Sequence, residues 1–494
     1  MKSRYATLVV SHHTPPIVMW SRVRQPRRRP HRGQRLRRPR FEALEDRRVL
    51  ATLVVNSSDP GRSGVDDGIT TFRDAIDEAN SNPGLDTITF AENVSELINI
   101  GVTIRDSVVI DGGSSLVYSG GFTGQPLIEL EDHFGSTIKG ILFSQTVGTA
   151  IEITGGGDHT ISGNVFERQE GSFGFARTGV EVIGSQGNTI GGGEASDGNV
   201  FLGLSTGIRV QTDNSVGIGV TSQQTSIEGN LIGVDAQGNP SSNTVGISIG
   251  DSQETTIRNN TISGNVTPLA LDQLSRNATI TGNRIGLSPA AEPDDEAAIP
   301  NASPVFAAGT FHQIDSNVIS GNLDDALLIS GSDITVTNNK IGTNSAGTAA
   351  IGNAGGIVID PGNLFSAIAS NNTIGPGNLI AGNREDGIVV TVNEFNPNTP
   401  DSNTIIGNAI GLNLAKDAAI PNRDGIAVRG AQNTRIEGNF IAGNSARGIS
   451  VDSGRQVDGD GRFVDTVAIA TTIAGNFIGT PADNANAIPN QGDG

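Results

Sequence analysis

The chain has 494 residues, 66 of them Gly and none of them Cys, with 35% hydrophobic and 17% charged residues. The missing Cys excludes a disulfide framework, a thiol nucleophile and a thiolate metal site. The Gly-rich, charge-poor composition argues against coiled coils and helix bundles. Residues 1–50 carry 14 Lys/Arg against 3 Asp/Glu, and the remainder 19 against 49. An acidic body lacks the clustered cations that phosphate neutralisation requires, so nucleic acid is not expected as a partner.

Residues 1–50 read as a leader. The Pro-interrupted basic run from Arg22 to Arg40 has nothing to bury and is expected to be disordered or processed. No apolar stretch reaches the ~18 residues of a transmembrane helix. The text FEALEDRRVLA from Phe41 resembles the short N-terminal motif LE-x-R-R-x-L-A found on predicted extracellular proteins of planctomycete bacteria. The resemblance implies export, a mature chain starting near Ala51, and an extracellular or cell-surface location.

Residues 51–90 read as a capping module. Phe72, Ala75, Ile76 and Ala79 fall at i, i+3, i+4 and i+7, which predicts a short helix near 71–80 with one apolar stripe. Thr71 and Asp74 are placed for a capping box, and Pro83-Gly84 ends the helix. DTITF from Asp86 alternates like a short strand. The passage from VVNSSDPG to DTITF resembles the CSLREA module that precedes β-helix repeats in many bacterial surface proteins, with Thr-Thr-Phe here in place of Cys-Ser-Leu.

From residue 91 to 494 one phrase recurs: HTISGNVF from His159, TSIEGNLIG from Thr225, TTIRNNTISGN from Thr255, ATITGNRIG from Ala278, TRIEGNFIAGN from Thr434 and others. Between them lie runs such as GISI at Gly246, GIVI at Gly356 and GIAV at Gly425. Each GI-x-φ, T-x-I and N-x-I piece sends alternate side chains into one interior, so three short strands make one coil, turned by Gly and Asn. The phrase Asn residues Asn230, Asn260, Asn283, Asn317, Asn339, Asn378, Asn408, Asn439 and Asn476 are 30, 23, 34, 22, 39, 30, 31 and 37 residues apart. The floor near 22 is the coil, and the excess is loop. Units ending in plain IG, with a tail containing AAIPN or AAIGN, alternate with units ending in ISGN or IAGN, so the repeating unit is two coils. The expectation is an all-β fold: a right-handed parallel β-helix solenoid with a short N-terminal capping helix, in which stacked Asn amides form a ladder. These repeats resemble the pectate-lyase-like superfamily.

Chemistry is sparser. GNLDDALLISG from Gly321 resembles the double-Asp strand of polygalacturonases, which implies Asp324 and Asp325 as weak catalytic candidates. The companion His-Gly and Arg-x-Lys motifs are absent, and Glu385-Asp386 occupy the same place in a later unit, which reads as a turn before a strand. His133, His159 and His312 lack metal-ligand spacing and read as loop or core residues. GGGEASDGN from Gly191 lacks the Lys of a phosphate loop and reads as a turn. Asp458, Asp460 and Asp465 surround two Gly residues in an insertion, a pattern that could hold Ca²⁺ or simply be a solvated acidic loop. No other cofactor is required. The expected function is a secreted or cell-surface structural or adhesive rod, with extracellular polysaccharide or cell-surface components as partners; the alternative is a polysaccharide lyase or hydrolase. Stacking platforms are scarce, since Trp20 lies in the leader and Tyr118 is the one Tyr after it. In the final unit NAIPNQGDG stops at Gly494 where an earlier AAIPNRDG runs into a strand, so an open end met by a continuation or a partner is expected.

Overall fold

A computed structural model describes residues 51–59, 68–98, 101–120, 125–144, 147–168, 177–214, 219–289, 292, 295–363, 368–458, 460–480 and 487–492. The expected leader lies outside these residues, as do Asn486, Asp493 and Gly494 of the final unit. The described chain is a parallel β-helix with one short helix.

Each coil contributes one strand to each of three faces. Face A takes the GI-x-φ strands, thirteen in all, from Val102–Ile104 to Ile449–Asp452. Face B takes the T-x-I strands and face C the N-x-I strands. The two are joined where Val108–Ser119 and Thr137–Ser144 run around the corner between them, giving one 27-stranded sheet. Pairing between coils is parallel and in register: Ile257 opposes Ile280, which opposes Ile314 on face B, and Ile262 opposes Ile285, which opposes Ile319 on face C. The inward members of each alternation are buried and form one core running the length of the solenoid. Each such buried aliphatic side chain contributes roughly 1.5–3 kcal/mol.

The expected helix spans Phe72–Ser81, and its capping box between Thr71 and Asp74 is present. Its buried stripe of Phe72, Ala75, Ile76 and Ala79 closes the N-terminal end of the core, with the Phe72 ring 5.7 Å from Phe90 and 5.9 Å from Tyr118. Strands Thr52–Val55 and Asp86–Phe90 pair in parallel with each other, and the second pairs on to Val108–Ser119. The capping module is therefore the first part of the solenoid, sharing its core, and residue 90 marks no break.

The corners explain the phrase. Between faces B and C the residue before most ladder Asn residues is left-handed, as at Gly282 (φ +66°), Asn338 (φ +55°) and Ser316 (φ +57°); Gly and Asn are the residues that reach this region at least cost. The ladder Asn then donates Nδ2–H to Oδ1 of the Asn one coil on. The row runs from Asn164 through Asn199, Asn230, Asn260, Asn283, Asn317, Asn339, Asn378, Asn408 and Asn439 to Asn476, at 2.8–3.1 Å. A second ladder stands between faces C and A: Asn243, Asn265, Asn301, Asn322, Asn353, Asn383, Asn422, Asn444 and Asn490, at 2.9–3.2 Å. It places the Asn of ISGN and the Asn of AAIPN at one structural position. The AAIPN tails are excursions that leave face C and return to the same corner through short antiparallel bridges, Leu287 with Ala298, Thr343 with Ala350 and Leu412 with Ala419.

The Gly of GI-x-φ has another cause. A Cβ at Gly425 would lie 2.5 Å from the Gly448 carbonyl oxygen and 2.6 Å from Ile441 Cγ2. The close approach of neighbouring coils, rather than a turn, excludes a side chain there.

Candidate functional site

After Asn322, Asn383, Asn422 and Asn444 of the second ladder, three or four residues that include charged side chains lead into face A, whereas the linker after Asn353 is uncharged. Asp324 and Asp325 lie in the linker after Asn322, and Glu385 and Asp386 take the same place two coils further on, as the aligned repeats indicate. Asp324 is exposed and its Oδ1 accepts the Asp325 N–H at 2.9 Å. Asp325 is half-buried. Burial first, then the carboxylates of Asp324, Glu385 and Asp386, push it up to about 6. The coil between the two acidic linkers has Gly355 at this point, and a Cβ there would come within 2.2 Å of Asp325 Oδ1; the missing side chain lets the carboxyl lie against the backbone.

Asp386 is buried (3% exposed) and saturated. Arg423 Nε donates to Oδ1 at 2.9 Å and Nη2 to Oδ2 at 3.0 Å, Arg429 Nη2 donates to Oδ2 at 2.6 Å, and the Asp424 N–H donates to Oδ1 at 3.3 Å. The bidentate Arg423 contact has the planar geometry that makes Arg–carboxylate pairs strong. A carboxyl pushed up to about 6 next to a carboxylate pinned by two guanidiniums is an arrangement able to hold and release a proton at Asp325. The sequence placed all four acids at one corner. It did not signal Gly355 as the space Asp325 occupies, nor the two arginines, which come from the next coil.

A second cluster went unread in the sequence. On the outer side of face A, Glu129, Glu152, Glu181 and Arg209 stand in consecutive register, ~4.8 Å apart by rung spacing. Glu181 is held by Arg209 at 3.3 Å, Gln211 Nε2 at 2.9 Å and Thr149 Oγ1 at 3.0 Å. Glu152, between two glutamates, is raised by burial and then by Glu181 and Glu129. The signal was available as the middle residue of IEL, IEI, VEV and IRV.

The three acids considered for Ca²⁺ are not brought together. Asp458 and Asp460 sit at the tip of an antiparallel hairpin, Gly454–Val457 with Phe463–Thr466, where Asp458 Oδ1 accepts the N–H groups of Asp460 at 3.0 Å and Arg462 at 2.9 Å. Asp465 is on the return strand, opposite Arg455 and near the base. The expected loop is a hairpin in which Val457 pairs with Phe463, and the pairing of Asp465 with Arg455 draws it away from the tip. Among the described residues no group of three or more His, Asp or Glu is placed to hold a metal ion.

The histidines take corner positions between faces A and B. His159 Nδ1 accepts the Ser136 N–H at 3.1 Å and His312 Nδ1 accepts the Ala278 N–H at 3.0 Å. Burial pulls both down to about 4. At the same corner Asn372 Oδ1 accepts the Ile334 N–H at 2.9 Å, so His and Asn are interchangeable acceptors here. His133 Nε2 lies 2.7 Å from Ser136 Oγ, but Ser136 is buried and cannot reach a substrate. Among the described residues no helix is long and apolar enough to cross a membrane.

A family model described as a right-handed beta helix region matches residues 101–288. No curated protein matches the chain. Among solved structures it is similar to a mannuronic acid specific polysaccharide family 6 lyase from human gut microbiota, with 12% identity over 78% of this chain and 87% of that one, TM-score 0.48. It is similar to PfbA, a surface adhesin of Streptococcus pneumoniae, with 13% identity over 85% and 99%, TM-score 0.42. It is similar also to the periplasmic alginate epimerase AlgG, with 11% identity over 76% and 78%, TM-score 0.40. At these values the likenesses do not choose among lyase, adhesin and epimerase.

Proposed function

We propose that this chain is a secreted or cell-surface β-helix rod with a structural or adhesive role, presenting its outer faces to extracellular polysaccharide or cell-surface components. The observation that carries the reading is the pair of asparagine ladders. They bind every coil from Asn164 to Asn490 to its neighbours and spend the buried corner amides on axial cohesion. Thirteen rungs of face A at ~4.8 Å each make a rod of ~60 Å. The leader motif at Phe41 supports export. A glycan array probed with the purified chain, paired with a screen for new reducing or unsaturated ends on acidic and neutral polysaccharides, tests it. The rod reading expects retention of glycan without depolymerisation.

A second reading is a polysaccharide lyase or hydrolase, and Asp325 favours it, as a half-buried carboxyl titrating near 6 beside the arginine-held Asp386. Depolymerisation that is lost in Asp325→Asn would replace the rod reading with this one.

A further inference from the structure

The corner between faces A and B holds a column of equivalent residues, one per coil, each just ahead of a face B strand. Along it, side chains accept the backbone N–H of the column residue one coil earlier. Ser136 Oγ takes the Val108 N–H at 3.0 Å, Asn188 Oδ1 the His159 N–H at 3.2 Å, and Asn403 Oδ1 the Asn372 N–H at 2.9 Å. These acceptors are neutral, which is all that a peptide N–H requires. At the first corner the acceptor is an acid. Ala51 and Asp86 stand one residue ahead of the paired Thr52 and Thr87, and Asp86 Oδ1 accepts the Ala51 N–H at 2.8 Å. Among the described residues of the column, Asp86 is the one acid.

Asp86 is fully buried (0% exposed), and its Oδ2 has no hydrogen-bond partner. Neutral members of the column also leave atoms unpaired, Thr225 Oγ1 and Thr434 Oγ1 among them. A carboxylate oxygen sealed from water is the far more costly case, and it calls for a paired cation. Ala51 is fixed beside it: the Ala51 carbonyl accepts the Thr87 N–H at 2.9 Å, so the nitrogen of the same residue is held against Asp86. As a peptide nitrogen it brings one N–H and no charge. As a chain terminus the same nitrogen, unmoved, would bring three donors and a positive charge.

We propose that the chain is cut between Leu50 and Ala51 and that Asp86 is the seat of the new α-ammonium. An endopeptidase adds one water across the peptide bond: Leu50 keeps the carbonyl carbon as a carboxylate, and Ala51 keeps the nitrogen as an ammonium with donors for both oxygens of Asp86. The cut turns a buried acid with one hydrogen bond into an ion pair that ties the strand Thr52–Val55 to the next coil. Processing and the fastening of the first strand are then one event. The assignment stands on the geometry of the corner and holds for a rod and for an enzyme alike.

Intact mass and N-terminal sequencing of the protein recovered from the cells that naturally produce it should give Ala51 as the first residue. In vitro, Arg47→Asp, Arg48→Asp, Val49→Asp and Leu50→Lys after Asp46 build an enteropeptidase site, and the full chain can then be cut ahead of Ala51, either folded or before refolding. Cutting should slow hydrogen exchange at the Thr87 amide roughly tenfold or more. Asp86→Asn follows Asn188 and Asn403, which already occupy this column, so it should fold. It should leave the uncut chain at least as protected and remove the gain on cutting. A Gly inserted ahead of Ala51, so that the cut leaves it as the terminus, moves the charge one residue away and should remove the gain as well. A natural terminus anywhere else, no slowing at Thr87 on cutting, or slowing undiminished in either variant would each overturn the assignment.

Discussion

Replacing one mid-ladder amide isolates what the ladders contribute. Asn317 is 1% exposed; its Nδ2 donates to Ile280 O at 2.8 Å, Asp315 O at 3.0 Å and Asn339 Oδ1 at 3.0 Å, and its Oδ1 accepts from Asn283 N and Nδ2, both at 2.9 Å. Asn317→Leu leaves the buried Asn283 N–H without an acceptor and removes the cross-coil amide bonds on both sides. One orphaned backbone donor at ~1–3 kcal/mol and two lost amide contacts at ~1 kcal/mol each give a loss of ~3–5 kcal/mol. Asn317→Asp is nearly isosteric and keeps the acceptor, but it points an oxygen at three other oxygens in a site sealed from water. It should be at least as damaging, and worse at neutral pH than in acid. Asn277 is an exposed Asn with a left-handed backbone, and Asn277→Asp should stay within ~0.5 kcal/mol of the parent. Urea unfolding followed by circular dichroism measures the three, and hydrogen exchange should localise the weakening to the coils of Asn283, Asn317 and Asn339, because coupling in a solenoid is to nearest neighbours. A Leu variant as stable as the parent, or equal losses for the two Asp variants, would refute the view that the ladder bonds are obligatory.

The corner histidines predict acid sensitivity. A folded value near 4 against 6.5 for the free side chain means that the unfolded chain binds more protons in between, so stability is fully present above pH 6.5 and is lost as pH falls toward 4. Each of His159 and His312 accounts for ~3 kcal/mol across that window. The raised Asp325 acts in the opposite direction, but its partly solvated carboxyl gives a smaller effect. His159→Asn with His312→Asn, copying Asn372, should flatten the profile of melting temperature against pH between 4 and 6.5; an unchanged slope would place the acid sensitivity elsewhere. At the charged corner, Gly355→Ala should push the Asp325 carboxyl into solvent and lower its titration midpoint from about 6 toward ~4. Carboxyl carbon NMR reads this directly, and a midpoint that stays near 6 would show that Gly355 is not what admits the side chain.

Strand alternation, coil period, the first asparagine ladder, the capping helix and the two-coil unit were all legible in the sequence. Each depends on local rules: a period of two, left-handed backbone at Gly or Asn, and a capping box four residues long. What the sequence withheld depends on which residues meet across coils whose lengths vary. The Asn of ISGN and the Asn of AAIPN look unrelated on paper, because a tail intervenes in one and not in the other; only closure of the coil puts Asn322 and Asn353 within hydrogen-bond distance. The glutamate row at Glu129, Glu152 and Glu181 arises the same way, from residues 23 and 29 apart brought to one rung spacing. Asp324 and Asp325 were found from sequence, but their setting was not, since it is made by a missing Cβ one coil away and by the arginines that pin Asp386 from the coil beyond. In the acidic insertion, Asp458, Asp460 and Asp465 are close in sequence, while hairpin pairing sets Asp465 opposite Arg455, away from the tip that carries the other two. In a solenoid the local sequence sets the shape of a coil, while stacking sets the neighbours of every outward side chain. A site on its surface is therefore a property of the stack.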